Sequence, residues 1–206
     1  MALFYHSGIN LAWWISCRLA WLPEDTMSNE REIAIERLDG AGAEAALPAL
    51  TEILRDAVAN GASVGFMDFS TSADFERFWQ GIAGQVRAGD VVLFVARGVE
   101  GIVGTAQLHP VGKPNQPHRA EIAKVLVHSR ARRRGIGEAL MREAEAAALA
   151  MGRDLLVLDT DEAGAARRLY NRLGWTEIGT IPRYALMPDG RDCGSTFFYK
   201  ALPSPS

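Results

Sequence analysis

The chain of 206 residues is 48% hydrophobic and 23% charged, and its formal net charge at pH 7 is −3. This composition is typical of a globular protein that folds as one domain with a sizeable core. The acidic balance excludes the broad basic surface of a general nucleic-acid binder, and the apolar stretches are too short to cross a bilayer. Cys17 and Cys193 are far apart in the sequence, so we expect neither a disulfide framework nor a zinc site.

Residues 1–29 are predicted to be a leader of doubtful function that precedes the folded domain, residues 30–206. Their apolar stretch, Ile9–Cys17, lacks the preceding basic residues and the small-residue cleavage site of a secretory signal peptide. Met27 stands just before the first strand-like run. We therefore expect an over-long start or a loosely attached helix, and no functional residues, in this segment.

The first half of the domain is predicted to contain a strand, two helices and two further strands. Alternating polar and apolar residues indicate a strand at Glu32–Arg37. Apolar residues at helical spacing indicate helices at Ala43–Asn60 and Ser72–Arg87. The second helix carries an aromatic stripe that includes Trp79, which we expect both to fill the core and to wall a substrate pocket. Two short apolar runs predict the strands Val91–Ala96 and Ile102–His109.

The second half is predicted to alternate strands with helices and to end in a pair of strands. A strand at Glu121–His128 leads through a turn rich in arginine and glycine into a helix at Gly135–Met151. The nearly continuous apolar run Asp154–Thr160 indicates a central strand covered on both faces. The last elements are a helix, Glu162–Leu173, and the strands Trp175–Pro182 and Ser195–Leu202. The predicted order is β-α-α-β-β-β-α-β-α-β-β.

The turn after the fourth strand has the sequence Arg132-Arg-Arg-Gly-Ile-Gly137. The first amides of a helix have no partner inside the helix, and the helix dipole places partial positive charge at that end. Glycine at positions 135 and 137 lets a pyrophosphate approach the main chain closely, and the arginines add positive charge at the rim. Neither of the common glycine-rich nucleotide motifs occurs in the chain. The turn therefore predicts a site for one small polyanion.

This turn and a second motif, Leu169-Tyr170-x-x-Leu173-Gly174-Trp175, together resemble the GNAT superfamily of N-acetyltransferases from about residue 31 to 202. The resemblance implies an α/β (α+β) GNAT fold with helices on both faces of a mixed, mostly antiparallel sheet, and a V-shaped splay between strands 4 and 5. Segments 60–66, 115–121, 158–160, 181–185 and 188–190 are similar to the bacterial subgroup that includes the tabtoxin-resistance acetyltransferase. Many superfamily members have an asparagine near the position of Ala163, and this chain departs from them there.

The resemblance implies that acetyl-CoA is the co-substrate and that no metal is needed. The amides from Arg132 to Glu138 would hold its pyrophosphate, and its pantetheine arm would pair with the fourth strand like an additional strand. One amide of that strand would polarise the thioester carbonyl. The predicted cofactor contacts are Leu126, Val127, Arg132, Arg133, Arg134, Gly135, Ile136, Gly137 and Glu138.

Three residues are predicted to act in catalysis. Tyr170 is protonated at neutral pH and can donate a proton to a departing thiolate, and the resemblance places this position at the thioester sulfur. Asp159 ends an otherwise apolar strand, where it either accepts the hydrogen bond of the acceptor's ammonium or caps the next helix. Glu121 is the alternative base and would act through water. We expect the acceptor pocket to be shaped by Asn115, His118, Arg119 and Trp79.

The predicted function is acetylation of a primary amine on a small molecule by direct attack in a ternary complex, because neither cysteine lies near the motif. The subgroup resemblance favours detoxification of an antibiotic or toxin. Acetylation of a protein N-terminus or lysine and non-catalytic acyl-CoA sensing are the alternatives. We expect a cytoplasmic protein without nucleic-acid or membrane partners, whose oligomeric state, a homodimer included, the sequence leaves open.

Overall fold

The computed structural model describes residues 33–162, 164 and 166–203. The predicted leader, residues 1–29, and Ala163 lie outside the described residues. The helices are α1 (Gly40–Ala45), α2 (Leu47–Ala59), α3 (Ser72–Ala88), α4 (Ile136–Ala150) and α5 (Ala166–Arg172). The strands are β1 (Ala34–Leu38), β2 (Val92–Gly98), β3 (Gly101–Pro110), β4 (Arg119–Val127), β5 (Leu155–Asp161), β6 (Thr176–Leu186) and β7 (Asp192–Ala201).

These strands form one sheet in the order β1-β2-β3-β4-β5-β7-β6. β4 and β5 are parallel and are joined through α4, whereas the other neighbouring strands are antiparallel. A parallel pair needs such a crossover connection, which explains why a helix lies between β4 and β5. The predicted mixed, mostly antiparallel sheet is confirmed.

Two clusters of buried side chains fill the two sides of the sheet, so helices on both faces are confirmed as well. One cluster packs the sheet against α4 and α5 and includes Leu140 and Tyr170. The other packs it against α2 and α3 and includes Leu54 and Trp79. We call these sides the α4 face and the α3 face. Because successive side chains of a strand alternate between faces, a core residue also assigns the face of its neighbours.

The first predicted helix, Ala43–Asn60, is two helices in the structure. Asp39 begins α1 by accepting a hydrogen bond from the amide of Gly42 at 2.7 Å, and α1 ends at Ala45. Pro48 then lies in the first turn of α2. A proline has no N–H to continue the ladder of hydrogen bonds from the preceding turn, so the chain starts a new helix there.

The sheet opens between β4 and β5. Their ladder joins only Arg119–Glu121 to Leu155–Val157, near the start of both strands. Beyond that point β4 continues to Val127 while its ladder runs along β3 alone. The second half of β4 therefore has an unpaired main-chain edge toward β5, as the predicted splay requires.

A buried polar network holds the turn that follows α5. Glu145 of α4 accepts hydrogen bonds from Trp175 Nε1 at 2.8 Å and from Lys200 Nζ at 2.7 Å. Lys200 also donates to the carbonyl of Leu173 at 2.8 Å. The network ties α4, β7 and the end of α5 together, and it thereby fixes Tyr170 of α5 against the sheet.

Candidate functional site

A loop with unpaired amides connects β4 to α4. A short 3-10 helix, Ser129–Ala131, follows the strand, and Gly135 caps α4 with a φ of +76°. Arg133 also has a positive φ, +63°, which is uncommon for a residue with a side chain. No acceptor in the described part of the chain pairs with the amides from Arg133 to Glu138. These amides and the start of the helix dipole could therefore hold an anion.

Asp56 of α2 holds the start of this loop. It accepts hydrogen bonds from Ser129, at 2.8 Å from the amide and at 2.6 Å from Oγ. Its carboxylate also lies 3.6 Å from His128 Nδ1 and 3.8 Å from the Arg132 guanidinium. Burial opposes ionisation, but the Ser129 hydrogen bonds and the charges of His128 and Arg132 outweigh it, so the pKa of Asp56 is lowered. α2 is thus tied to the loop through one ionised side chain.

The two glycines of the turn serve different purposes. Gly135 needs its left-handed conformation, and a Cβ there would meet nothing within 4 Å. At Gly137 a Cβ would lie 3.2 Å from Leu169 Cδ2, so this glycine lets α4 approach α5 closely. The interpretation of Gly137 as an opening for a ligand therefore needs correction, because the space beside it is filled by α5.

The predicted arginines and their neighbours differ in how freely they can reach a ligand. Arg132 donates from Nε to the carbonyl of Val127 at 3.1 Å, which holds its guanidinium beside the loop. Arg133 and Arg134 are exposed, whereas the side chain of Ile136 is buried and can offer only its amide. Glu138 pairs with Arg142 at 2.8 Å, which directs its carboxylate along the helix.

Leu126 and Val127 lie in the part of β4 that has an open edge. Both residues pair with β3, opposite Thr105 and Gly104. Their side chains pack into the cores of the α3 face and the α4 face, respectively. In a strand the N–H and C=O of one residue point to the same side, and neighbouring residues alternate. The amide of His128 donates to Val103 of β3, so Leu126 also directs its main chain to β3 and Val127 directs its own to the β5 side, where a chain of amides can pair with it.

Tyr170 lies in the core of the α4 face, directly below the opening. It is 5% exposed, and its ring packs against Phe198 with a centroid separation of 5.6 Å. Burial, followed by the negative charges of Asp159 and Asp161, raises the pKa of its hydroxyl far above the ordinary value. Tyr170 therefore stays protonated across the physiological range and can act as a proton donor but not as a base.

Asp159 lies on β5 across the opening from β4. Leu156 and Leu158 belong to the core of the α4 face, so Asp159 points to the α3 face. Its Oδ2 accepts a hydrogen bond from Ser195 Oγ at 2.6 Å. No amide of α5 donates to it among the described residues, which argues against the alternative of a helix cap. A carboxylate here can accept a hydrogen bond from a cationic amine.

A second layer covers the α3 face beside the opening. Phe66, in the loop after α2, packs edge-on against Phe75 and Phe78 of α3, with centroid separations of 5.0 and 5.6 Å. The same loop is tied to the β6–β7 hairpin, because Ser63 Oγ donates to the carbonyl of Leu186 at 2.8 Å. The amide of Asp68 likewise donates to the carbonyl of Pro188 at 3.0 Å. These loop–hairpin bridges are possible because β6 runs on to Leu186, beyond its predicted end at Pro182.

The remaining predicted residues are not all brought to the opening. Glu121 points to the α3 face, where Arg119 pairs with it at 2.9 Å. Asn115 and His118 are exposed in the loop before β4, at its paired end, so at about 3.3 Å per residue they lie roughly 25 Å from Leu126. Trp79 is 1% exposed in the core of the α3 face. Trp79 is therefore a core residue, as one half of its prediction states, and Asn115 and His118 lie at the opposite end of β4 from Leu126.

Three residues of this region are missing from the sequence-based set. Lys124 lies at a bulge in β4, where Lys124 and Val125 both stand opposite Ala106 between the pairs Gln107–Ala123 and Thr105–Leu126. A lysine within the apolar run 122–127 was a usable signal, since charged residues are rare in buried strands. Asp56 and Gln107 gave no such signal, because an aspartate on a helix and a glutamine in a strand are ordinary.

The site thus combines an anion-binding loop, an open strand edge, a proton donor and a carboxylate. No group of three or more His, Cys, Asp or Glu side chains in the described ranges could hold a metal ion. None of the helices described is both long and apolar enough to cross a membrane. An open depression of about 490 Å³ beside Asp39 and Arg87 lies away from these residues.

A family model described as the acetyltransferase (GNAT) family matches residues 48–175. Ribosomal-protein-alanine N-acetyltransferase from Brucella melitensis is similar at 29% identity and a TM-score of 0.68, covering 82% of this chain and 99% of that one. An N-acetyltransferase from Staphylococcus aureus Mu50 has 20% identity and a TM-score of 0.69, with coverage of 84% and 99%. A Salmonella typhimurium protein solved with its cofactor acetyl-CoA has 21% identity and a TM-score of 0.67, with coverage of 84% and 96%.

Proposed function

The chain belongs to the acetyltransferase (GNAT) family, and we propose that it transfers the acetyl group of acetyl-CoA to the primary amine of a small molecule. The observation that carries this proposal is the set of unpaired amides from Arg133 to Glu138, together with the unpaired edge of β4 that precedes the loop. The Salmonella typhimurium relative holds acetyl-CoA, which supports the same co-substrate here. A cytoplasmic location, where acetyl-CoA is available, is part of the proposal.

Binding comes first in the proposed reaction. The amides of the loop donate hydrogen bonds to the pyrophosphate, and Arg133 and Arg134 add positive charge from the exposed side. Arg132 is held in place by donating from Nε to the Val127 carbonyl. The main chain of Val127 faces the open edge, and its N–H can pair with the amides of the pantetheine arm, while Leu126 before it is bonded to β3. The loop amides, the arginines and the main chain of β4 therefore supply suitable hydrogen-bond donors and positive charge for acetyl-CoA, and none of these contacts involves a metal.

The chemistry requires a neutral amine. At pH 7, deprotonating an alkyl ammonium of pKa near 10.4 costs about 4–5 kcal/mol. Asp159 accepts a hydrogen bond from the ammonium and draws off its proton, and Glu121 is the alternative acceptor through water. Acetyl-CoA supplies a thioester, whose acetyl group forms the new C–N bond as the C–S bond breaks. Tyr170 donates its proton to the departing sulfur, since burial keeps its hydroxyl protonated.

A small acceptor is favoured over a polypeptide by the covered α3 face. The bridges from Ser63 to Leu186 and from Asp68 to Pro188 close one side of the opening, which an extended peptide would need free. The sequence similarity to the tabtoxin-resistance subgroup also favours an amine-bearing antibiotic or toxin. The name of the Brucella melitensis relative favours the second candidate, acetylation of the N-terminal alanine of a protein.

The test is a thiol-release assay with acetyl-CoA over a library of small amines and short peptides that begin with alanine. We expect turnover with small amines, and kcat reduced at least 10-fold in both Tyr170→Phe and Asp159→Asn. Tyr199→Phe, a tyrosine on β7, is the matched control and should retain activity. Equal activity in Tyr170→Phe and wild type would contradict the catalytic assignment.

Two outcomes separate the rival functions. Turnover confined to the alanine peptides would replace the small amine by a protein N-terminus. Tight binding of coenzyme A without turnover on any amine or peptide would favour a sensor instead of an enzyme.

A further inference from the structure

The bulge in β4 re-aims a lysine toward the opening. Lys124 has a φ of +50°, a conformation that residues with long side chains rarely adopt. Bulges of this kind occur next to active sites, where they redirect a side chain. The ammonium of Lys124 lies on the α3 face, 5.5 Å from the centroid of the Phe78 ring. The strained backbone therefore places a cation on the α3 face, on the side of the opening that Asp159 faces.

This cation has no ion-pair partner in the described part of the chain. No carboxylate lies within 4.0 Å of the Lys124 ammonium, whereas the nearby Glu121 is already paired with Arg119. Burial lowers the pKa of Lys124, and the more distant carboxylate of Asp159 opposes that shift. Withdrawing a lone ammonium from water is costly unless something compensates it. The Phe78 ring offsets part of this charge, and the lack of a carboxylate in contact with it among the described residues points to an anionic partner supplied from outside the chain.

A second unsatisfied donor lies on the same face. Gln107 is 1% exposed, and its Nε2 has no hydrogen-bond partner among the described residues. Its Oε1 is engaged by His109 Nε2 at 2.9 Å, which leaves the amide nitrogen as the free group. Gln107 stands opposite Ala123, the residue before Lys124. Because Ala106 and Leu108 belong to the core of the α4 face, Gln107 points to the α3 face, as Lys124 does.

The two sides of the opening therefore carry opposite charges. Lys124 on β4 and Asp159 on β5 influence each other electrostatically but lie more than 4.0 Å apart, so they do not form an ion pair. An acceptor that carries both an ammonium and a carboxylate matches this arrangement. A simple monoamine would satisfy Asp159 and leave Lys124 and Gln107 without partners.

We propose that the acceptor is an amino acid or a similar compound, with a carboxylate bound by Lys124 and Gln107 and its amine directed to Asp159. This inference rests on the proposed acetyl transfer and names the class of its acceptor. Lys124 and Gln107 are then specificity-determining residues, while Tyr170 and Asp159 carry the chemistry.

The test compares matched acceptors that differ only in charge. Amino acids with the amine at the α, β or γ position are assayed beside their carboxamides, in which the negative charge is removed. We expect the wild type to prefer the acid at least 10-fold in kcat/KM for one or more of these pairs. Lys124→Met should reduce the preference to about one, mainly by losing activity on the acid. Lys124→Arg, which keeps the charge, should retain a preference for the acid.

Lys113→Met is the matched control, because Lys113 is exposed in the loop before β4 and should leave the preference unchanged. Gln107→Glu places a negative charge beside the bound carboxylate and should also abolish the preference. Thermal denaturation establishes that each variant is folded. If Lys124→Met is unfolded, the inference is tested by the other two variants: Lys124→Arg should keep the preference for the acid and Gln107→Glu should lose it.

The outcomes separate this inference from the proposed function. Turnover of amines with no acid preference, or a preference that survives Lys124→Met, overturns the inference and leaves acetyl transfer intact. Thiol release with none of the amines overturns both.

Discussion

The loop after β4 and the α3 face of the opening offer a ligand different kinds of contact. The loop offers main-chain amides on a turn set by Gly135, and its side chains mostly support it from outside. The α3 face offers side chains from separate elements, with Lys124 from a bulge, Gln107 from β3 and Asp159 from β5. The amides of the loop depend mainly on the local conformation of one turn. The side chains of the α3 face depend on the packing of three strands, β3, β4 and β5, that are separate in the sequence.

The largest effect on coenzyme A binding is expected from a substitution that disrupts the turn at Gly135. Gly135→Val forces a β-branched residue into a φ of +76°, so the loop must rearrange. We expect the affinity for coenzyme A, measured by isothermal titration calorimetry, to fall at least 100-fold. Gly112→Val is the matched control, because Gly112 lies in an open loop without a positive φ. Unchanged affinity in Gly135→Val would mean that side chains, not the main chain, hold the anion.

Removing one hydroxyl tests whether chemistry and binding are separate. Tyr170→Phe keeps the ring packed against Phe198 and deletes only the proton donor. We expect kcat to fall about 100-fold while coenzyme A affinity changes less than 2-fold. Because burial holds the Tyr170 pKa far above its ordinary value of 10, the wild-type kcat should show no loss from its ionisation up to about pH 10. An alkaline loss below that pH that disappears in Tyr170→Phe would contradict this role.

A substitution at Asp56 should have a smaller effect on coenzyme A affinity, because Asp56 contacts the loop and not the ligand. Asp56→Asn weakens the hold on Ser129, and we expect a loss of about 10-fold in coenzyme A affinity with kcat unchanged. Since the folded-state pKa of Asp56 is lowered, its contribution to stability is present above its ordinary value of 3.8 and is lost as pH falls through the folded value. The stability difference between wild type and variant, from urea unfolding, should therefore narrow only below about pH 4. Asp90→Asn is the control, because Asp90 is exposed just before β2. A lower kcat with unchanged coenzyme A affinity in Asp56→Asn would contradict the role of Asp56 in holding the loop.

The features of the fold and the site that depend on local sequence could be predicted, and those that depend on contacts between distant segments could not. The element order, the turn from Arg132 to Gly137 and the position of Tyr170 depend on local spacing, so patterns of glycine and apolar residues indicate them. Lys124 interrupts an apolar run and could have been noticed for that reason, but the bulge that sets the direction of its side chain has no sequence signal of its own. Trp79 fills the core, as one half of its prediction states, whereas its role in a pocket does not follow from the sequence, because an aromatic stripe on a helix has the same pattern in both cases.

The smallest expected effect concerns stability. Lys124→Met removes a poorly solvated ammonium and keeps the length of the side chain, so we expect a gain of about 1 kcal/mol at pH 7. Since the folded-state pKa of Lys124 is lowered, the cost of its charge is present below that value and disappears as pH rises toward the unfolded value near 10.4. The gain, measured by urea unfolding, should shrink accordingly. A loss of stability at pH 7 would show that Lys124 supports the fold rather than the acceptor.

The bridges from Ser63 to Leu186 and from Asp68 to Pro188 connect the tips of two loops, and neither tip belongs to the machinery around Gly135. Loop tips tolerate insertions and deletions far better than strands do. Descendants of this gene can therefore exchange the molecule they modify by changing the length of either tip, while the acetyl donor remains the same. The loop around Gly135, which serves the acetyl donor, and the two tips, which border the acceptor, can therefore change independently.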